Sequence, residues 1–171
     1  MDILEVLKNR VSVKKFLDKQ VDEESLNKII DAGLFAASGK NKQCVKLLVV
    51  TNKEVVKELS KLNASILGVD IDPFYNAPCV IVVFADRNIH TFVEDGSLVM
   101  GNMMNEAFSI GVDSCWIHRA NEMFENSVGR SIATKYGIPE SYRGIGNLVL
   151  GYRAVDFKVK DRVPDRVIYV K

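Results

Sequence analysis

Cysteine is scarce in this sequence and poorly placed for pairing. The 171-residue chain has three cysteines, at Cys44, Cys79 and Cys115. They are odd in number, far apart and without a CxxC spacing, which argues against a disulfide framework or a zinc ribbon. The two histidines, His90 and His118, have no carboxylate at metal-ligand spacing, so no metal site is expected. Neither sign of charge dominates. Lys plus Arg number 23 and Asp plus Glu 22, a net charge of +1, which gives no global attraction to nucleic acid or to an anionic membrane. No apolar run approaches the ~20 residues that span a bilayer. Asp2-Ile3-Leu4-Glu5 provides neither the basic nor the apolar part of a signal peptide, so the cytoplasm is the expected compartment. Repeats, low-complexity tracts and linkers are lacking too, and residues 1–171 read as a single domain.

What remains is an ordinary globular composition, 47% hydrophobic and 26% charged, with clear element signals. Asp2 and Glu5 suggest a capping box for a short helix with Ile3, Leu4 and Leu7 on its apolar side. Asp22 opens a second helix on which Leu26, Ile29, Ile30, Leu34 and Ala37 recur at helical spacing. Lys46–Thr51 reads as a strand, and Asn52 caps a helix carrying Val55, Val56, Leu59 and Leu62. Cys79–Ala85 is apolar at every position, as a central strand covered on both faces should be. From Phe92 to Ile110 runs a helix almost free of charge after Asp95, which suits a subunit interface. Asp113–Ile117 and Asn147–Leu150 are further strands. Val167–Val170 reads as a terminal strand after a charged, extended tail.

Chemistry is concentrated at the ends of the chain. In the extended segment Arg10-Val11-Ser12-Val13-Lys14, residues two apart share a face, so Arg10, Ser12 and Lys14 project together. Two cations and a hydroxyl suit a phosphate monoester, although such a pattern alone more often describes a solvated basic loop. Lys160-Asp161-Arg162 repeats the geometry near the other end. The loop from Ser38 to Gln43 offers a hydroxyl and the carboxamides of Asn41 and Gln43, each both donor and acceptor. That set matches the edge of a flavin pyrimidine as well as it matches a plain surface loop. Gly144-Ile145-Gly146 begins like a dinucleotide fingerprint, but Val149 stands where a third glycine is needed and a strand follows instead of a helix. Cys115 and His118, three apart in a strand, point to opposite faces and form no nucleophile–base couple.

Taken in order, these segments resemble the nitroreductase family. The Arg-x-Ser-x-Lys-x-Phe segment is Arg10–Phe16. The Ser-x-x-Asn-x-Gln loop is Ser38–Gln43, where Cys44-Val45 replaces the family's Pro-Trp and Ala37 its preceding Pro. Gly111–Ile117, Gly151-Tyr152 and Lys160-Asp161-Arg162 complete the series. The resemblance implies an α+β fold, with a mixed sheet flanked by helices, in an intertwined homodimer whose tail exchanges onto the partner. It implies FMN in the interface, its phosphate held by Arg10, Ser12 and Lys14 with Lys160 and Arg162. Ser38, Asn41 and Gln43 would lie near the ribityl and pyrimidine portion. Trp116, Ile117, His118 and Arg119 would run beside the isoalloxazine, with a backbone N–H near His118 facing flavin N5. The implied activity is ping-pong transfer of hydride from NAD(P)H to a small acceptor such as a nitroaromatic, quinone or flavin, with no side chain singled out as acid or base. Dehalogenase or azoline oxidase chemistry, or a non-catalytic flavin sensor, would use the same scaffold. The chain is short for the family, without the inserted helices that cover the flavin in longer members.

Overall fold

The computed structural model describes residues 2–171. Its middle layer is a sheet of β1 (Val45–Val50), β2 (Cys79–Asp86), β3 (Asp113–Ile117) and β4 (Tyr142–Gly151), in the spatial order β1-β2-β4-β3. The strands pair antiparallel throughout. Parallel pairing enters at the isolated bridge between Ser12 and Ser114, which lays the N-terminal segment along the outer edge of β3.

The unbroken apolar run of β2 follows from helices on both faces. Successive side chains alternate across a strand. Val80, Val82 and Phe84 therefore meet α3 (Lys53–Leu67), α5 (Ala120–Glu125) and α6 (Ser127–Lys135), through residues such as Leu59, Phe124 and Ile132. Cys79, Ile81 and Val83 meet α2 (Glu23–Leu34) and α4 (Phe92–Ser109), through Ile29, Met100 and Met103. Capping fixes where the helices begin. Asp22 accepts the Ser25 N–H at 2.8 Å, and Asn52 accepts those of Glu54 and Val55 at 3.0 and 3.1 Å. Gly68, at φ 74°, ends α3 in the left-handed conformation that glycine adopts without a Cβ penalty.

Several local expectations are corrected. Asp2 precedes α1 (Ile3–Asn9), but its side chain caps nothing. Val6 is the residue α1 buries, while Ile3, Leu4 and Leu7 stay exposed. A helix of two turns resting on α4 has room to bury one narrow stripe. α2 stops at Leu34, because Phe35 already caps it, and so does not reach Ala37. The expectation of α4 at a subunit interface is not contradicted: within the chain the helix buries Asp95, Val99, Met100, Met103 and Ala107 and leaves Val93 and Leu98 half exposed. The segment Val167–Val170 forms no strand within the chain, and Val170 is 96% exposed. Among the described residues no helix is long and apolar enough to cross a membrane.

Candidate functional site

The N-terminal segment leaves α1 extended and is fastened to the edge of the sheet. Val13 N–H donates to Ser114 O at 3.0 Å, and Leu17 N–H to Tyr152 O at 2.8 Å. Val13 is fully buried between exposed Ser12 and Lys14. Its alternation turns Arg10, Ser12 and Lys14 the same way, as their spacing suggests. All three act on the Cys115 thiol: burial pushes its pKa up, against the opposing pull of Ser12, then Lys14, then Arg10. Arg10 Nη1 is buried without a hydrogen-bond partner, and so is Ser114 Oγ. An orphaned guanidinium donor beside a second cation is an arrangement that an anionic oxygen completes.

The tail begins beside this corner. Phe16 bridges Arg153 in antiparallel sense, and Ala154 N–H donates to Lys15 O at 3.0 Å. Phe157 then packs against the core cluster that contains Val13 and Phe16. Lys160 and Arg162 lie farther along, exposed, and their one mutual contact is Arg162 Nη1 to Lys160 O at 3.5 Å.

Ser38, Asn41 and Gln43 are brought together by their own side chains. Gln43 N–H donates to Ser38 Oγ at 3.1 Å, and Gln43 Nε2 to Asn41 Oδ1 at 2.9 Å. Lys40, Asn41 and Gln43 all have positive φ, at 52°, 53° and 48°. Left-handed non-glycine residues each cost about 1 kcal/mol or more and persist where surrounding contacts over-determine them. Asp95 supplies the main contact here. Its Oδ1 accepts the Gly39 N–H at 2.9 Å, while Oδ2 takes the Thr91 hydroxyl at 3.2 Å and the Cys44 thiol at 3.4 Å. A Cβ on Gly39 would run into Thr91, so glycine is what lets the loop approach α4 this closely.

Trp116 and Ile117 close β3, and the chain then breaks sharply. His118 is exposed and Arg119 takes φ 71° before α5 begins. The Trp116 indole lies over Gly146, where a Cβ would sit 2.7 Å from Nε1. Cys115 is buried and His118 exposed beyond the strand end, which keeps them apart.

The two polar groups are not joined within one chain. Ser114 pairs with Leu150 and Leu150 with Cys79, whereas Val45, just after the Ser38–Gln43 loop, pairs with Ala85. Three strand spacings across and six residues along the sheet separate these corners by on the order of 25 Å. A groove of about 590 Å³ between α3 and the turn at 70–78 reaches the N-terminal segment at Phe16 and Asp18 but is lined by none of these polar residues. Its Lys53 is already matched by Asp18 at 2.6 Å.

Three polar residues were not singled out as site residues from the sequence: Asp95, Asn63 and Asn147. All three are buried. Asn147 interrupts an apolar strand, which was an available signal, whereas Asp95 beside Glu94 and Asn63 among Ser60, Lys61 and Ser65 carried none.

The nitroreductase family model matches residues 7–71 and 68–152. A relative from Methanothermobacter thermautotrophicus, provisionally named NADH dehydrogenase/NAD(P)H nitroreductase, is 28% identical over 174 residues, covering 98% of this chain and 86% of its own. The crystal structure of a nitroreductase with bound FMN from Bacteroides fragilis superposes with a TM-score of 0.93 at 25% identity, over 100% of both chains. A second such nitroreductase, from Desulfitobacterium hafniense, gives 0.91 at 24% identity over 100% of both chains and supports the fold. In fold and sequence alike, the chain belongs to the nitroreductase family.

Proposed function

We propose that this protein is an FMN-dependent oxidoreductase that works as a homodimer. The observation that carries the reading is the basic corner at β3, where Arg10 keeps a buried guanidinium N–H without a partner. Arg10, Ser12 and Lys14 hold the FMN phosphate there. The Phe16–Arg153 bridge directs the tail back along this segment. Lys160 and Arg162, seven and nine residues beyond that bridge, complete the phosphate site. Charge-assisted hydrogen bonds contribute roughly 1.5–3 kcal/mol each, so a few suffice for tight retention.

A second copy completes each site. The loop bearing Ser38, Asn41 and Gln43 is at the far corner of its own sheet, so the phosphate corner of one chain uses the partner's loop for the ribityl and pyrimidine portion. Exposed apolar side chains on α1, α2 and α4 supply the interface: Ile3, Leu4 and Leu7, then Leu34 with Phe35 (89% exposed), then Val93 and Leu98. Burying such a patch between two copies is what large exposed apolar surfaces are for. The tail exchanges onto the partner, which gives exposed Val167–Val170 something to pair with.

Trp116, Ile117, His118 and Arg119 line the ring. When bound, FMN would supply the hydride chemistry that links NAD(P)H to a small acceptor such as a nitroaromatic, quinone or flavin in a ping-pong cycle. The cations of the chain stabilise negative charge on the cofactor, and no side chain is needed as acid or base. The purified protein is expected to be yellow, and its flavin absorbance to bleach when NADH or NADPH is added anaerobically. Colourless protein that takes up no added FMN would overturn this function.

A further inference from the structure

Two buried amides converge on one main-chain oxygen. Asn63 on α3 and Asn147 on β4 are fully enclosed. Asn63 Nδ2 lies 2.8 Å from His118 O, and Asn147 Nδ2 lies 3.3 Å from the same atom. Both nitrogens also touch Met123 Sδ, at 3.2 and 3.4 Å. Neither Oδ1 has a partner among the described residues. The orientation of the amides is dictated by chemistry, because turning either one over would set its oxygen against the carbonyl oxygen. A carbonyl accepts at two lone pairs, so the two donors saturate it.

The consequence reaches the next atom along the chain. In a trans peptide, C=O and N–H point in opposite directions. With the His118 oxygen drawn into the core by two amides, the Arg119 N–H is turned out of it. Arg119 has φ 71°, at the break between β3 and α5. Its N–H donates to no acceptor among the described residues.

We propose that Asn63 and Asn147 are positioning residues that lock the His118–Arg119 peptide so that the Arg119 N–H is a preset hydrogen-bond donor to N5 of the bound flavin. This rests on the proposed function, which places Trp116–Arg119 beside the ring. A donor fixed before the cofactor arrives needs no reorganisation when charge changes at the ring. Neither asparagine touches the flavin, and both act through the carbonyl.

The test uses full-length protein with FMN and with 5-deaza-FMN, which keeps the phosphate and ring shape but has carbon in place of N5. The readout is hydrogen exchange at the Arg119 amide. FMN is expected to slow that exchange at least tenfold in the wild type, and 5-deaza-FMN to leave it nearly unprotected although both bind. In Asn63→Leu and Asn147→Leu the protection given by FMN falls several-fold, and the N5 nitrogen-15 resonance of labelled FMN moves downfield as its hydrogen bond weakens. Met123→Leu, which touches both amides without reaching the carbonyl, retains wild-type protection. If the Leu variants fail to fold, Asn63→Ser and Asn147→Ser, too short to reach the carbonyl, replace them. Equal Arg119 exchange with both flavins, or wild-type protection and N5 resonance in both asparagine variants, would overturn the proposal. Wild-type protein that binds neither flavin would instead overturn the function on which it rests.

Discussion

Asp113 and Arg153 form a three-donor clasp at the point where the chain leaves the sheet. The carboxylate accepts the Arg153 backbone N–H at 2.9 Å, Nε at 3.0 Å and Nη2 at 2.5 Å. Asp113 is nearly enclosed at the start of β3, and its hydrogen bonds raise the Arg153 pKa above its ordinary value. The clasp fixes the point at which the tail leaves the sheet.

Asp113→Ala should therefore loosen the tail as well as weaken the fold. Breaking an enclosed ion pair costs about 3–5 kcal/mol. The Arg153 side chain is 30% exposed, and water screens what it loses, so about 1–3 kcal/mol is expected here. Urea denaturation measures the loss, and trypsin should cut faster at Lys158–Arg162 than in the wild type. Unchanged trypsin sensitivity would mean that the tail is held elsewhere.

Arg10→Ala and Arg162→Ala should each weaken FMN retention by about 10- to 100-fold, the equivalent of one charge-assisted hydrogen bond. Fluorescence titration of the apoprotein reads this directly. If both variants keep wild-type affinity, the phosphate is bound elsewhere.

Asp95→Ala removes the acceptor of Gly39 N–H, Thr91 Oγ and Cys44 Sγ together. A buried network losing its shared acceptor costs about 2–3 kcal/mol. Hydrogen exchange should rise selectively at residues 39–44, where three left-handed residues relax once the clamp is gone. Exchange that rises evenly over the chain would argue against a local role.

Alkali should destabilise the protein through its thiols. Burial pushes Cys79 from 9.0 up to about 12, and burial raises Cys44 and Cys115 as well. A folded pKa above the unfolded one means that the stabilising contribution is complete below pH 9 and is lost as pH rises toward 12. The expected slope for Cys79 is about 1.4 kcal/mol per pH unit. Urea midpoints between pH 8 and 11 should fall less steeply for Cys79→Ala than for the wild type, whatever cavity the substitution leaves at neutral pH. Parallel curves would remove Cys79 as the source.

Gly146→Ala tests the seat of Trp116, the only tryptophan in the chain. The added Cβ would meet indole Nε1 at 2.7 Å and Met100 Cε at 2.9 Å. Overpacking of this kind costs about 1–3 kcal/mol. The emission maximum should shift as the ring is displaced, and a wild-type spectrum would show that the indole has room to spare.

Much of the local architecture was legible in the residues. Asp22 and Asn52 start their helices because a side-chain oxygen can satisfy a free N–H wherever that helix packs. The seven apolar residues Cys79–Ala85 mark a strand covered twice, and β2 lies between β1 and β4 with helices on both faces. The shared face of Arg10, Ser12 and Lys14 follows from the period of an extended chain. α1 was less legible. Ile3, Leu4 and Leu7 mark its apolar side, yet within the chain that side is exposed and Val6 is the buried residue, because periodicity identifies a face without saying what covers it.

Spacing and composition thus determined which residues are helical, extended or mutually aligned, since those properties depend on neighbours within about a turn. Tertiary structure alone decided that Asp95 would anchor a loop 56 residues away in sequence, and that Asn63 and Asn147 would meet at one carbonyl from different elements. It also set the Ser38–Gln43 loop and the Arg10 corner at opposite ends of the sheet. Buried polar partners and strand order are settled by the long-range packing that closes the core, and nothing within a turn of these residues encodes it.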